Sequence, residues 1–336
     1  MKRDMKNWLR EQLESPVKKA MPLLSAPSCQ LIGMELDGMI ADSALMADAL
    51  RRLAERTDSS ALICMMDLSV EAESFGSTIH MSGGEVPTVV GSIVHDEDEA
   101  DALAVPAVGS GRTGIYIDTV RRLSDTVTDR PIFAGVIGPF SLAARLMDVT
   151  EIMLVCYDEP EVVHKVLEKT TEFIISYCLT FKEAGANAVA MAEPVTGLLS
   201  PALAAEFSAP YVKRIVDAVQ DDSFLVLYHN CGGGTISMID SILRCGAAIY
   251  HFGNAIDMSA MLERVPDNVV VMGNIDPAGE FRGGTPESIT KATTELLEKC
   301  SGHRNFVISS GCDIPARAPW ENIDAFFAAV KRFYEG

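Results

Sequence analysis

The feature that most constrains this chain is an alternation of two kinds of segment. Eight short apolar runs, at 31–34, 61–66, 131–137, 188–192, 224–228, 248–252, 269–272 and 306–309, are too continuous for half-exposed antiparallel strands and too short for most helices. Between many of them lie stretches of helical period and composition, at 43–56, 160–184, 201–219, 236–245, 258–265, 286–300 and 319–334. This order implies parallel strands with helical crossovers, because a parallel neighbour is reached only by crossing a sheet face. Eight such strands predict a (β/α)8 TIM barrel. A doubly wound open sheet shares the local pattern, and the strand count separates the two. The chain reads as one barrel domain over 1–336, with an N-terminal helical extension over 1–28 and an insertion after the second strand over 68–130. Inside that insertion, 78–94 predicts a hairpin that turns at Met81-Ser82-Gly83-Gly84.

Composition narrows the partners. With 47 acidic and 28 basic side chains in 336 residues, the formal net charge is −19, which repels phosphate backbones and anionic headgroups. A nucleic-acid or membrane partner is therefore not expected. Residues 1–15 carry mixed charge and lack the apolar core of a secretory signal, and no uncharged run approaches the ~20 residues that span a bilayer. A cytoplasmic protein is expected. The eight cysteines are scattered through a large chain, a usage that favours reduced thiols over a disulfide framework.

Three strand exits carry groups with chemistry. The run 224–228 leads into His229-Asn230-Cys231-Gly232-Gly233-Gly234, and residues i and i+2 of an extended segment project to one side, so His229 and Cys231 can face one metal ion. The last run leads into Ser310-Gly311-Cys312-Asp313, which places a second cysteine at a strand exit. In a barrel these exits share one rim, where active sites are built. A histidine and two thiolates suit zinc, whose catalytic sites keep a fourth position open. The alternative is two buried cysteines and a hydrogen-bonded core histidine. Glu193, directly after 188–192, is a candidate fourth ligand, substrate contact or proton acceptor, or else a helix cap. His251 closes the sixth run and is read as a cofactor or substrate contact, against a satisfied structural histidine. Gly232-Gly233-Gly234-Thr235 lacks P-loop spacing and its lysine, so a turn is expected there. His80, His95, His164 and His303 have no ligand partner at short spacing.

Over residues 26–334 the chain resembles the uroporphyrinogen decarboxylase superfamily, specifically its branch of zinc-dependent, cobamide-linked methyltransferases of the methylcobamide:coenzyme M type. The resemblance rests on Asp67-Leu68-Ser69-Val70-Glu71-Ala72-Glu73-Ser74-Phe75-Gly76, on Gly185-Ala186-Asn187 leading to Glu193-Pro194, and on His229-Asn230-Cys231-Gly232. It continues in Met272-Gly273-Asn274-Ile275-Asp276-Pro277, Ser309-Ser310-Gly311-Cys312-Asp313-Ile314-Pro315 and Pro319-Trp320-Glu321-Asn322. It implies that His229, Cys231 and Cys312 bind zinc. It further implies that Asn274 and Asp276 shape a corrin or substrate pocket, although Asp276-Pro277 also fits a simple turn. The stretch Leu31-Ile32-Gly33-Met34-Glu35-Leu36-Asp37-Gly38 departs from the decarboxylase, with two acids and no arginine where tetrapyrrole carboxylates would be received.

The implied chemistry follows from the metal. A thiol with a pKa of about 8.5 is mostly protonated at neutral pH, and zinc coordination removes that proton while sulfur stays nucleophilic. The resemblance implies methyl transfer from a methylcobamide, carried by a small corrinoid protein, to a small thiol such as coenzyme M. The opposite direction, removal of methyl from a methoxyl or methylamine substrate onto a Co(I) corrinoid, stays open at this level.

Overall fold

The structure, a computed structural model, describes residues 3–336. Seven parallel strands form one sheet: β1 (Leu62–Ile63), β4 (Ile132–Ile137), β5 (Ala188–Ala192), β6 (Leu225–Asn230), β7 (Ile249–Phe252), β8 (Val270–Ile275) and β9 (Phe306–Ser310), neighbours in that order. β2 (Thr78–His80) and β3 (Thr88–Val90) make the expected separate hairpin, with Thr78 opposite Val90.

Seven of the eight apolar runs are strands. The first is not: Ala26–Ile32 winds into a 3-10 helix ending at Gly33, whose φ of 67° is left-handed. Its place is taken by residues 20–24, which bridge the two edge strands of the curled sheet. Ser60 N–H donates to the Ala20 carbonyl and Met21 N–H to the Ile308 carbonyl, both at 3.0 Å, and Ile314 N–H donates to the Leu23 carbonyl. Pro22 has no N–H to give, so this stretch cannot form a regular ladder. The N-terminal extension is accordingly α-helical over Met5–Glu14, and helical structure returns only with the 3-10 turn from Ala26.

The helices at 43–56, 160–184 and 286–300 fall where their periodicity puts them. The span 201–219 is two helices, Pro201–Phe207 and Ala209–Val219, because Pro210 cannot donate back into the preceding turn. The insertion is shorter than 68–130. Its last part, Thr113–Thr126, is the crossover helix between β1 and β4, packed on Ser43–Arg56 and Pro160–Ala184.

Strand alternation sorts the apolar residues into two cores. Val226, Tyr228 and Tyr250 face the helical shell, whereas Leu225, Leu227, Ile249, Val270, Met272 and Val307 meet inside the curl of the sheet. The helix Met5–Glu14 plugs that interior from the strands' N-terminal end. Met5 is fully buried there, Trp8 lies edge-on to Phe133 with centroids 5.6 Å apart, and Asp4 caps the helix by accepting from Asn7 N–H.

A candidate metal centre at the strand exits

On β6, Leu225 and Leu227 point inward, so His229 does too, and Cys231 continues that side beyond the strand. β9 ends at Ser310, and two residues later Cys312 returns over the same mouth. Ligand atoms of His229, Cys231 and Cys312 all lie within 4.8 Å of one another, with His229 Nε2 3.5 Å from Cys312 Sγ. His229 is buried and both cysteines are half-buried, so the cluster opens toward the rim. The local chain is shaped for this approach. A Cβ on Gly253 would stand 2.6 Å from Cys231 Cα, and the loop carrying it is braced by Asn274 Nδ2, which donates to the Gly253 and Ile256 carbonyls at 2.9 and 3.0 Å.

Electrostatics mark the two sulfurs as a coupled pair. The neighbouring Cys312, and after it His229, hold the Cys231 thiol well below its usual range, and the contact with Cys231 together with burial pushes Cys312 up. Burial, and then the Cys231 charge, push Asp313 up to about 8, and its buried Oδ1 has no partner. One imidazole nitrogen and two sulfurs within one coordination sphere, open on one side, fit zinc. The other six cysteines are buried and apart, and all eight are free.

The remaining predicted site residues stand elsewhere. Glu193 is fully buried and outside the donor cluster. Its Oε1 accepts from Phe140 N–H at 2.9 Å, and its Oε2 accepts from Ser141 N–H, Ser141 Oγ and Thr196 Oγ1 at 3.1, 2.7 and 3.0 Å. The carboxylate therefore caps the helix Pro139–Met147, which lies some fifty residues earlier in the chain, with Gly138 leaving room: a Cβ there would be 2.1 Å from Glu193 Cγ. Burial pushes Glu193 upward, and these donors act in the opposite sense. Asp276 takes the turn role, accepting from Ala278 and Gly279 N–H at 2.9 Å. His251 has no exposed surface, and both ring nitrogens are engaged. Its Nδ1 is 2.8 Å from His229 Nδ1 and its Nε2 is 2.8 Å from Ser309 Oγ, so it is not placed to touch a docked cofactor.

Sequence reasoning missed Ser309, Gly253 and the unpaired Asp313. The parity of β7 and β9 carries the signal for the first: Ile249 and Val307 point inward, hence so do His251 and Ser309. The two acids at 31–38 are also engaged, Glu35 by Arg317 at 3.1 Å and Asp37 by the Gly83 N–H at 2.6 Å.

The fold and the site define an α/β enzyme, and comparison with known proteins gives the family. The chain belongs to the uroporphyrinogen decarboxylase (URO-D) family, whose model matches residues 15–333. It is 26% identical over 273 residues to the methylcobamide:CoM methyltransferase MtbA of Methanosarcina acetivorans, covering 80% of this chain and 78% of the relative. It is 31% identical over 252 residues to the uroporphyrinogen decarboxylase of Synechococcus sp. (strain CC9605), covering 72% of this chain and 70% of that one. Among solved structures, a methyltransferase from Methanosarcina mazei superposes with a TM-score of 0.87 at 24% identity, over 98% of this chain and 99% of that chain, a likeness of fold. A B12-independent methionine synthase from Shewanella sp. W3-18-1 shares the fold more loosely, with a TM-score of 0.57 at 15% identity over 86% of each chain. No helix among the described residues is long and apolar enough to cross a membrane.

Proposed function

We propose that this chain is a zinc-dependent corrinoid methyltransferase, moving methyl between a cobamide on a small corrinoid protein and a small thiol of the coenzyme M kind. The observation that carries the reading is the convergence of His229, Cys231 and Cys312, from two strands far apart in sequence, into one donor set open to the rim. Similarity to methylcobamide:CoM methyltransferases supports the substrate class. Zinc held by these three residues supplies Lewis acidity that keeps a coordinated thiol ionised at neutral pH.

The chain's own groups do the rest. The apolar interior below His229 and the plug at Met5–Glu14 exclude water from beneath, so substrates reach the site from the rim alone. Asn274 and Asp276 act from behind, the first by bracing the loop behind Cys231 and the second by capping the turn Pro277–Arg282. Glu193 sets the start of the helix Pro139–Met147, its two oxygens taken up by donors of that helix and of Thr196. Within this reading the sheet is a (β/α)8 barrel whose eighth stave is the irregular stretch 20–24, and the setting is cytoplasmic, in keeping with cysteines scattered through a large chain.

The test is metal content of protein purified without added metal, for wild type, Cys231→Ser and Cys312→Ser, followed by methylcobalamin and a panel of thiols. About one zinc per chain, lost in both variants, with thiol methylation by wild type alone, is expected. Similarity to uroporphyrinogen decarboxylases favours a second reading, a metal-free lyase. Turnover of uroporphyrinogen by protein that takes up no zinc would establish it.

A further inference from the structure

Hydrogen positions around His229 follow from its buried partners. The Met21 carbonyl can only accept, so Ser309 Oγ, 2.8 Å away, donates its single hydrogen there. With that hydrogen spent, the 2.8 Å contact between Ser309 Oγ and His251 Nε2 requires the hydrogen to sit on Nε2. The 2.8 Å contact between the two Nδ1 atoms admits one hydrogen. Were it on His251, that ring would be an imidazolium with no exposed surface and no carboxylate in contact among the described residues. It therefore belongs to His229. His229 is then the Nδ1–H tautomer, and its Nε2 lone pair is bare on the side facing Cys312.

We propose that the Met21 carbonyl, Ser309 and His251 form a hydrogen-bond relay that fixes the tautomer of His229 and presents its Nε2 as a metal ligand. The relay deepens the zinc reading and rests on it for its purpose, although the tautomer itself does not depend on metal. His251 and Ser309 are positioning residues, since neither touches the donor cluster with a free atom. Their anchoring is rigid, because His229 and His251 are register partners on adjacent strands and the far end is main chain of the segment that joins the sheet edges. A ligating imidazole whose second nitrogen donates to a fixed acceptor is oriented and made more basic, an arrangement whose loss typically costs 10- to 100-fold in metal affinity.

Two measurements test this. Long-range nitrogen–proton NMR on metal-free wild type reads the tautomers directly. His229 protonated at Nδ1 and His251 at Nε2 is expected, and His229 protonated at Nε2 would overturn the relay whatever the metal does. Zinc dissociation constants from chelator competition then compare His251→Phe, His251→Asn and Ser309→Ala with wild type. His251→Phe is expected to weaken zinc by about 10- to 100-fold. His251→Asn, whose Oδ1 can still accept from His229 Nδ1–H, should recover most of that loss. Equal losses in both His251 variants would mean that the residue only fills space, and would refute the proposal. If His251→Phe does not fold, the wild-type tautomers and Ser309→Ala, expected to raise the His229 Nε2–H population, decide. Wild type with the expected tautomers and no zinc binding would retain the relay and remove the metal reading.

Discussion

Gly253→Ala tests whether Cys231 stands where a metal needs it. The added Cβ would meet Cys231 Cα at 2.6 Å and Cys231 Cβ at 2.7 Å, against the 3.4 Å at which ordinary contact begins. One of the two backbones must retreat by about 0.8 Å, and neither is the far end of a flexible side chain. Overpacking of this kind costs about 1–3 kcal/mol of stability. The functional loss is expected to be larger, since metal–ligand distances tolerate only about 0.2 Å. Zinc affinity, read by chelator competition, should fall at least about 10-fold, as when a ligand's support is lost. Gly302→Ala is the control, as no atom lies within 4 Å of its Cβ position, and its stability and zinc affinity should match wild type. A Gly253→Ala protein with lowered stability and unchanged zinc affinity would refute the placement of Cys231 as a ligand.

Other perturbations separate structural from chemical roles. Glu193→Gln turns an amide N–H₂ toward backbone donors at the start of Pro139–Met147, and should cost about 1–3 kcal/mol by urea denaturation; unchanged stability with lost turnover would restore a proton-transfer role. Glu71 is pushed up to about 8, first by burial, so its folded-state value lies above the unfolded one of 4.5. Its neutral form favours folding fully below pH 4.5, and that contribution is lost as pH rises to about 8; Glu71→Gln should flatten the loss in urea midpoints across this window, and an unchanged slope would refute it. In metal-free protein, iodoacetamide at pH 6 should label Cys231 ahead of the six buried thiols, whose ionisation burial opposes, as at Cys64, pushed up to about 12. Zinc should abolish that labelling, and mass spectrometry reads both.

Much of this was legible in order and parity. Continuous apolar runs identified seven strands because a strand buried on both faces has no polar side to show. The same rule misplaced 31–34, where Leu31 and Ile32 are apolar because they end a 3-10 helix whose side chains pack against the main core. Nothing in residues 20–24 reads as a strand, since Pro22 interrupts it and its pairing depends on where both sheet edges end. The donor set was visible from spacing and resemblance. The role of Glu193 was not, because the helix it caps precedes it by some fifty residues and their approach is tertiary.

The interior of the sheet explains why the chemistry sits where it does. Ascending β6, β7 and β9, inward positions run from Leu225, Leu227, Ile249 and Val307 to His229, His251 and Ser309. Burying two imidazoles and a hydroxyl without partners would cost several kcal/mol in total, at about 1–3 kcal/mol per unsatisfied group. Here each partner is another member of the same layer or the main chain of 20–24, so that cost is largely met until the last atom. That atom is His229 Nε2, which has the Cys312 thiol at 3.5 Å, a weak partner for a nitrogen lone pair. The one acceptor left poorly satisfied in the layer thus points at two sulfurs, and a thiophilic dication would complete all three at once. Apolar layers beneath make that deficit persistent, because water cannot reach the nitrogen from below.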